Sequence, residues 1–314
     1  MEFRTQITGK PNNQQIDYQS NILLFGSCFT ENIHKKLDYF KLKSQCNPFG
    51  ILFNPKAIET VITHSIQEKI YTEKDVFFAN ERWHCFDVHS DLSALTKNEL
   101  LDTLNQQVKN SKTAIENASH LIITLGTAWA YRFIASNTIV GNCHKIPQKQ
   151  FKKELLSVDA VSNSLKNIVN LISSINPNLH LIFTVSPIRH LKDGFVENSR
   201  SKAHLIAGIH DFIETSEHLH YFPSYEIMMD DLRDYRFYTT DMLHPSELAI
   251  QYIWEQFSEV WISPNTHALQ KEVATVQKGL AHRPFNPTSE QHLNFLSSLK
   301  RKMDALRLLH GIRF

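Results

Sequence analysis

The sequence predicts an α/β fold: a mainly parallel sheet covered by helices on both faces, forming a three-layer α/β/α sandwich. Three observations carry this. Helical patterns and apolar runs alternate along most of the chain. Each strong helical stretch feeds directly into an apolar run, the pattern of strands in a parallel sheet. And 314 residues of ordinary globular composition can bury a large core.

In chain order, the apolar run Ile22 to Phe25 stops at Gly26-Ser27-Cys28-Phe29-Thr30-Glu31, after which Phe29, Ile33, Leu37 and Phe40 fall on one helical face. This reads as a strand-to-helix corner. Asn47-Pro48-Phe49-Gly50 is turn-rich, and a short helix is expected from about Pro55 to Ile66. The segment between about 43 and 95 is otherwise irregular, and the aromatic and histidine-rich patch Phe77 to His89 shows no clean period. A helix from about Asn98 to Asn117, with Leu101, Leu104, Val108 and Ile115 on one face, feeds the strand Leu121 to Leu125. The next runs from Asp159, as N-cap, to Pro177 and into the strand Leu179 to Val185. A further helix, about Ser201 to Glu217, precedes the run Leu219 to Phe222. Pro245 suits the first turn of the last core helix, with Ala249, Tyr252, Ile253 and Phe257 behind it. Residues 1–262 thus form the main domain, with an insertion around 43–95. Residues 263–314 form a helical extension packed on the core, whose helix from about Ser289 to Leu309 has Leu293, Leu296, Leu299, Met303 and Leu306 as its apolar face.

A formal charge of +1 leaves no basic stripe, which argues against nucleic acid as a partner. No apolar run approaches the roughly 20 residues of a membrane span, and Met1 to Lys10 lacks the apolar core of a signal peptide, so a cytoplasmic location is expected. Cys28, Cys46, Cys85 and Cys143 are too few and scattered for a disulfide framework and are expected to be free thiols.

Four groups of residues have the types that carry chemistry. Ser27 and Cys28 lie just ahead of a helix N-terminus, where exposed N–H groups and the dipole favour an anion and ease loss of a thiol proton. Asp241 and His244 share a loop, and a carboxylate three residues before an imidazole can fix its tautomer and leave the other nitrogen as a base. Gly50, after Asn47, and Gly126-Thr127-Ala128-Trp129, after a strand, can present backbone N–H groups at neighbouring strand ends. His84, Cys85, His89, Cys143 and His144 are metal-ligand types, but their spacing fits no structural zinc pattern, and no metal is expected. Asn142-Cys143-His144-Lys145 has the polar density to line a substrate pocket. Each of these signals taken alone also fits an ordinary turn, cap or buried side chain.

Taken together, Gly26-Ser27-Cys28-Phe29-Thr30-Glu31, Asn47-Pro48-Phe49-Gly50, Thr124-Leu125-Gly126-Thr127-Ala128-Trp129, Asn142-Cys143-His144-Lys145, Ser186-Pro187-Ile188-Arg189-His190, Tyr221-Phe222-Pro223-Ser224-Tyr225-Glu226 and Asp241-Met242-Leu243-His244-Pro245-Ser246 resemble the motifs of the GSCFA family, placed with the SGNH (GDSL-type) hydrolases. The resemblance spans roughly residues 20 to 260. It implies a flavodoxin-like sheet and acyl transfer at an ester, deacetylation or acetylation of a carbohydrate, through a covalent acyl-enzyme. The register puts Ser27 in the superfamily's Asp slot and Cys28 in its nucleophile slot, while Asp241 and His244 match the closing Asp-x-x-His. Of the superfamily's oxyanion donors, Gly50 resembles the second, but Ala128 stands where an Asn is usual. Asn47, Thr127 and Asn142 are unranked replacements. The amides of Cys28 and Gly50 are expected to converge on one point, and the Cys28 thiol is expected to have a lowered pKa. Trp83, His84, His89 and Trp129 would stack on a sugar. A hydrolase needs no cofactor; a carbohydrate O-acyltransferase would need a donor such as acetyl-CoA. The competing class is a ligand-binding protein on the same fold with weak catalysis.

Overall fold

A computed structural model describes residues 5–314; the first four residues of the Met1 to Lys10 stretch lie outside the described residues. Strand β1 (Ile22–Gly26) is buried along its whole length and turns at Ser27 into α1 (Cys28–Tyr39). Next come the short β2 (Ser44–Cys46) and α2 (Pro55–Ile66), whose cap Asn54 accepts from the Ala57 amide at 2.9 Å. An antiparallel hairpin follows, β3 (Val76–Ala79) and β4 (Arg82–Cys85), turned by Asn80 and Glu81 with φ of +48° and +61°. Then come α3 (Lys97–Asn117) and β5 (His120–Leu125). Strands β6 (Trp129–Phe133), β7 (Thr138–Val140) and β8 (Phe151–Leu155) form a separate antiparallel sheet in the order β7-β6-β8. The chain returns through α4 (Val158–Ile175), β9 (His180–Val185), α5 (Phe195–His210) and β10 (Leu219–Phe222). After the single turn α6 (Ser224–Glu226) come α7 (Glu247–Trp261), α8 (His267–Ala281) and α9 (Glu290–His310).

The central sheet has the order β10-β9-β5-β1-β2, every pair parallel. The chain leaves β1 towards β2 on one side and comes back to β5 on the other. The C-terminal ends of β1 and β5 therefore flank the topological switch point, where open parallel sheets bind ligands. Both faces are buried. Leu23, Phe25, Leu121, Ile123 and Phe183 pack with Ile58, Leu104, Leu165 and Leu205 from α2 to α5. Ile22, Leu24, Ile122 and Ile182 pack on the opposite face with Phe29, Leu37, Ile253 and Phe257 of α1 and α7. This is the three-layer sandwich that the alternating pattern predicts.

Several local expectations are corrected. The segment 43–95 is not all insertion: it supplies the edge strand β2 and the helix α2 of the main fold, and β2 is too short at three residues to show a period. The β6-β7-β8 sheet was not foreseen, because its short strands mix charged and apolar residues. Ser157, not Asp159, caps α4, since its hydroxyl accepts from the Ala160 amide at 3.1 Å; Asp159 sits one turn in, where its charge suits the helix dipole. Helix α5 spans 195–210 rather than 201–217, and Ile213–Thr215 is a separate turn. Pro245 lies outside α7: it bridges to Tyr238, and Ser246 provides the cap, accepting from the Ala249 amide at 3.3 Å. Helix α8 was not anticipated. It is tied to α1 through Gln277, whose amide donates to the Tyr39 carbonyl at 3.0 Å, and its Val273 and Val276 bury Leu299 and Leu306 of α9. Leu293 and Leu296, expected on the packed face, are 53% and 44% exposed, because α9 leans on one neighbouring helix rather than on the core.

Candidate functional site

The corner owes its shape to Gly26. Its φ is +142°, and a Cβ there would stand 2.2 Å from the Thr124 carbonyl oxygen, so no larger residue fits. The Ser27 amide donates to that same carbonyl at 3.1 Å, locking the end of β1 to β5, and the Ser27 carbonyl accepts from the Thr30 amide at 2.8 Å to start α1. Ser27 is the N-cap, yet its hydroxyl makes no capping bond. It is buried and has no hydrogen-bond partner among the described residues.

Four more buried polar atoms share that condition and border the same place. Thr30 Oγ1 lies 2.8 Å from the Cβ position of Gly26, and Thr124 pairs with Gly26 across the sheet. Asn47 accepts from the Gly26 amide through Oδ1 at 2.8 Å while its Nδ2 is unpartnered. His190 Nε2 lies 3.3 Å from the Cβ position of Gly126, and Ser27 Cβ lies at the same distance from that point. Buried polar groups are nearly always paired, so this concentration at the switch point marks a place built for something other than stability.

Asp241 and His244 are joined as the sequence predicts. Asp241 Oδ2 stands 2.6 Å from His244 Nδ1, while Oδ1 accepts from the Thr239 hydroxyl and the amides of Leu243 and His244 at 2.7, 2.8 and 3.0 Å. The His244 amide, the Thr239 hydroxyl and the Leu243 amide hold this carboxyl far below the usual carboxylate range. It therefore stays charged and holds the proton of the imidazole at Nδ1, which leaves Nε2 as the basic nitrogen. The loop is fastened beside the end of β9, where the Arg189 amide donates to the Leu243 carbonyl at 3.1 Å. The next residue, His190, feels the charge of His244.

Beneath these groups lies Lys202 on α5, fully buried. Its ammonium donates to the Gly126 carbonyl at 2.7 Å and the Ser186 carbonyl at 2.6 Å, tying the ends of β5 and β9 together. Burial pushes its pKa down to about 7. Burial, then the Lys202 and His244 charges, push His190 down to about 4, so its imidazole is neutral at pH 7. The Asn198 side chain accepts from the His190 amide at 2.9 Å and the Phe53 ring packs edge-on at 5.8 Å. Sequence reasoning named neither His190 nor Lys202 as a site residue. The one signal for Lys202 is that it shares a helical face with Asn198, Leu205 and Ile209, all buried, where a solvated lysine does not belong.

The thiol of Cys28 does not behave as expected. Its pKa is raised, by burial first and by the Glu31 carboxylate one helical turn away second; the Cys28 amide at the helix N-terminus opposes them and loses. The Gly50 amide is likewise removed as an oxyanion donor, because it donates to the Asn47 carbonyl at 2.7 Å. The amides of Gly126 and Thr127 both donate to the Phe53 carbonyl, at 2.8 and 3.1 Å. The Thr127 hydroxyl is bonded to Ser201 at 2.9 Å, and Asn142 Oδ1 is occupied by the His144 amide at 2.8 Å. Of the three replacement donors, Asn47 alone keeps a buried unpartnered donor.

The aromatic and histidine patch divides. His144 is buried, with Nε2 2.7 Å from the Cys85 carbonyl and Nδ1 3.0 Å from Ser90 Oγ, and burial pushes it down to about 4. His84 stacks on it at 4.7 Å with Nε2 on the Ala79 carbonyl, so both are structural pins of the β3–β4 hairpin rather than sugar platforms. Trp83 packs on Phe78 of that hairpin. His89 abuts Gly50, where a Cβ would meet the His89 Cβ at 2.4 Å, and its Nδ1 lies 3.0 Å from Asp91. Trp129 donates to the Glu197 carbonyl at 3.4 Å beside Lys153, which pairs with Asp193. Among the described residues, no three His, Cys, Asp or Glu side chains form a group that could hold a metal ion. All four cysteines are free thiols.

A parallel sheet of flavodoxin-like strand order, with helices on both faces, places this protein in the doubly wound α/β class. Within that class the chain belongs to the GSCFA family, whose model matches residues 21–257, from the start of β1 into α7. A second model, GSCFA domain protein, C-terminal domain, matches residues 273–311, covering most of α8 and α9. Among curated proteins none matches the chain. No helix among the described residues is long and apolar enough to cross a membrane.

Proposed function

We propose that this protein hydrolyses an acyl ester, an acetyl ester of a carbohydrate in the first instance, through a covalent acyl-enzyme at the Gly26–Cys28 corner. The observation that carries the reading is the Asp241–His244 pair at 2.6 Å, on a loop fastened to Arg189 beyond the end of β9. An imidazole oriented by a permanently charged carboxylate is the base such chemistry requires.

In this scheme the Cys28 sulfur attacks the ester carbonyl carbon as its proton passes to His244 Nε2, and the carbonyl oxygen becomes an oxyanion. Collapse breaks the carbon–oxygen bond, and the departing alcohol takes the proton from His244. Water then attacks the thioester, giving its proton to the same imidazole, and the carboxylic acid leaves as the thiol is restored. Because the resting thiol is protonated, the imidazole has to remove its proton during attack. Ser27 is the alternative nucleophile. The Cys28 amide and Asn47 Nδ2 are the oxyanion donors, the second standing in for the Asn that Ala128 replaces. A cavity of about 340 Å³, lined by Glu31, His34, Lys35 and Asp91 together with the less polar Cys46 and Leu92, reaches Asn47 and Gly50. If a sugar hydroxyl replaces water as acceptor, the same site is an O-acyltransferase with a donor such as acetyl-CoA.

A second reading, a binding protein with weak catalysis, is favoured by the raised pKa of Cys28. Aryl acetates and acetylated sugars, assayed with and without acetyl-CoA on wild type, C28A, S27A and H244A, decide between them. Turnover lost in C28A and H244A supports the ester chemistry. Sugar binding that persists in H244A, with no turnover in wild type, supports the binding protein.

A further inference from the structure

His190 belongs to no part of the scheme above, yet its placement is the least accounted for in the molecule. Its Nε2 is buried and has no partner among the described residues, and it lies 3.3 Å from the Cβ position of Gly126, as does Ser27 Cβ. The bare α-carbon of Gly126 thus lies close to both the imidazole and the corner, and a Cβ there would crowd both. The ring is held on several sides: the Asn198 side chain takes its backbone amide, the Phe53 ring meets it edge-on, and the neighbouring Arg189 amide is bonded to the Leu243 carbonyl. Lys202 fixes the Gly126 carbonyl beneath it and Ser186 at the end of β9.

We propose that His190 is a further catalytic residue, whose Nε2–H donates to the oxyanion formed when the corner nucleophile attacks the ester carbonyl. The proposal rests on the acyl-transfer reading. Three considerations support it. The Gly50 amide, expected to be a donor, is occupied by the Asn47 carbonyl, which leaves the hole one donor short of the expected set. A buried donor with no partner in the resting protein is free to bond at the moment charge develops, without breaking anything first. And because burial first, then the Lys202 and His244 charges, keep the ring neutral, it binds an oxyanion without competing with His244 for the nucleophile's proton.

The test uses full-length protein carrying ¹⁵N-histidine and a trifluoromethyl ketone, which adds to a nucleophile to give a stable tetrahedral oxyanion. The expected result is a downfield move of one Nε2–H proton on adduct formation, absent from H190A and H190Q. On the ester substrate, H190A should lower kcat about 10²-fold with KM little changed, and H190Q, which retains a side-chain amide donor, should recover part of the loss. If H190A does not fold, H190Q and the proton shift decide. An adduct whose histidine signals all stay in place, or full kcat in H190A, overturns the role of His190 and leaves the ester chemistry standing. A wild-type protein that neither forms the adduct nor turns over any ester removes the acyl-transfer reading and this proposal with it.

Discussion

Lys202 donates from a buried position to the carbonyl oxygen of Gly126 at 2.7 Å, and with its bond to Ser186 it clamps the ends of two central strands. The clamp carries a cation out of water, and burial lowers its pKa to about 7. Between about pH 7 and the ordinary lysine value near 10.4, the unfolded chain keeps the proton while the folded one sheds it. Stability therefore rises with pH across that window, by at most roughly 1.4 kcal/mol per pH unit, and below pH 7 the slope vanishes. Urea unfolding of wild type and K202M at pH 7, 8 and 9 should show the difference growing in favour of wild type. A constant difference would show that the lysine titrates normally.

Cys28 should be a slow thiol. Burial and Glu31 both raise its pKa, so iodoacetamide at pH 7 should modify it more slowly than a free cysteine, with the rate climbing as pH rises past 9. E31Q removes the second cause, and the modification rate at pH 8 should increase. Fast labelling at pH 7, or no response to E31Q, contradicts the electrostatics of the corner.

Asp241→Asn leaves the shape of the loop but breaks the charge relation to His244. By analogy with an Asn that holds the wrong tautomer, activity should fall about 10⁴-fold. The native carboxylate is held far below its usual range, so it stays ionised where an ordinary carboxylate would take up its proton. Loss of activity between pH 7 and 3 in wild type must then come from another group. A D241N enzyme within tenfold of wild type would remove the pair from the mechanism.

Asn47→Asp keeps the acceptor for the Gly26 amide and deletes the Nδ2 donor. The residue sits at φ +46°, which aspartate tolerates, so the melting temperature should move little. Activity should fall about 10²-fold, as for loss of one oxyanion donor. Unchanged kcat would assign the free amide to the turn alone.

The layers of the fold were legible because they depend on short-range pattern. The runs ending at Phe25, Leu125 and Val185 lie in strands, and the stripe Leu104, Val108 and Ile115 is buried as its spacing requires. Where packing competes with pattern, packing prevails. Leu293 and Leu296 share a stripe with Leu299, but only the turns that cross α8 are covered. Asp159 has a capping side chain, but Ser157 has one too, two residues earlier, and reaches the Ala160 amide.

By itself the sequence determined the corner at Gly26 and the Asp241–His244 pair, because both are local: a glycine at a strand end before a helical stripe, and a carboxylate three residues from an imidazole on one loop. It likewise determined family membership, which resides in motifs in order along the chain. Tertiary structure alone decided which side chains join them. Asn47, His190 and Lys202 lie 21, 164 and 176 residues from Gly26 in the chain, and they meet only because β2, β9 and α5 deliver them to one edge of the sheet. It also decided which candidates are spent: Gly50 and Thr127 have their polar groups taken by neighbours, and His84 and His144 are buried. Hydrogen-bond satisfaction and burial are properties of the packed chain, since a donor is free or occupied only once its neighbours are in place.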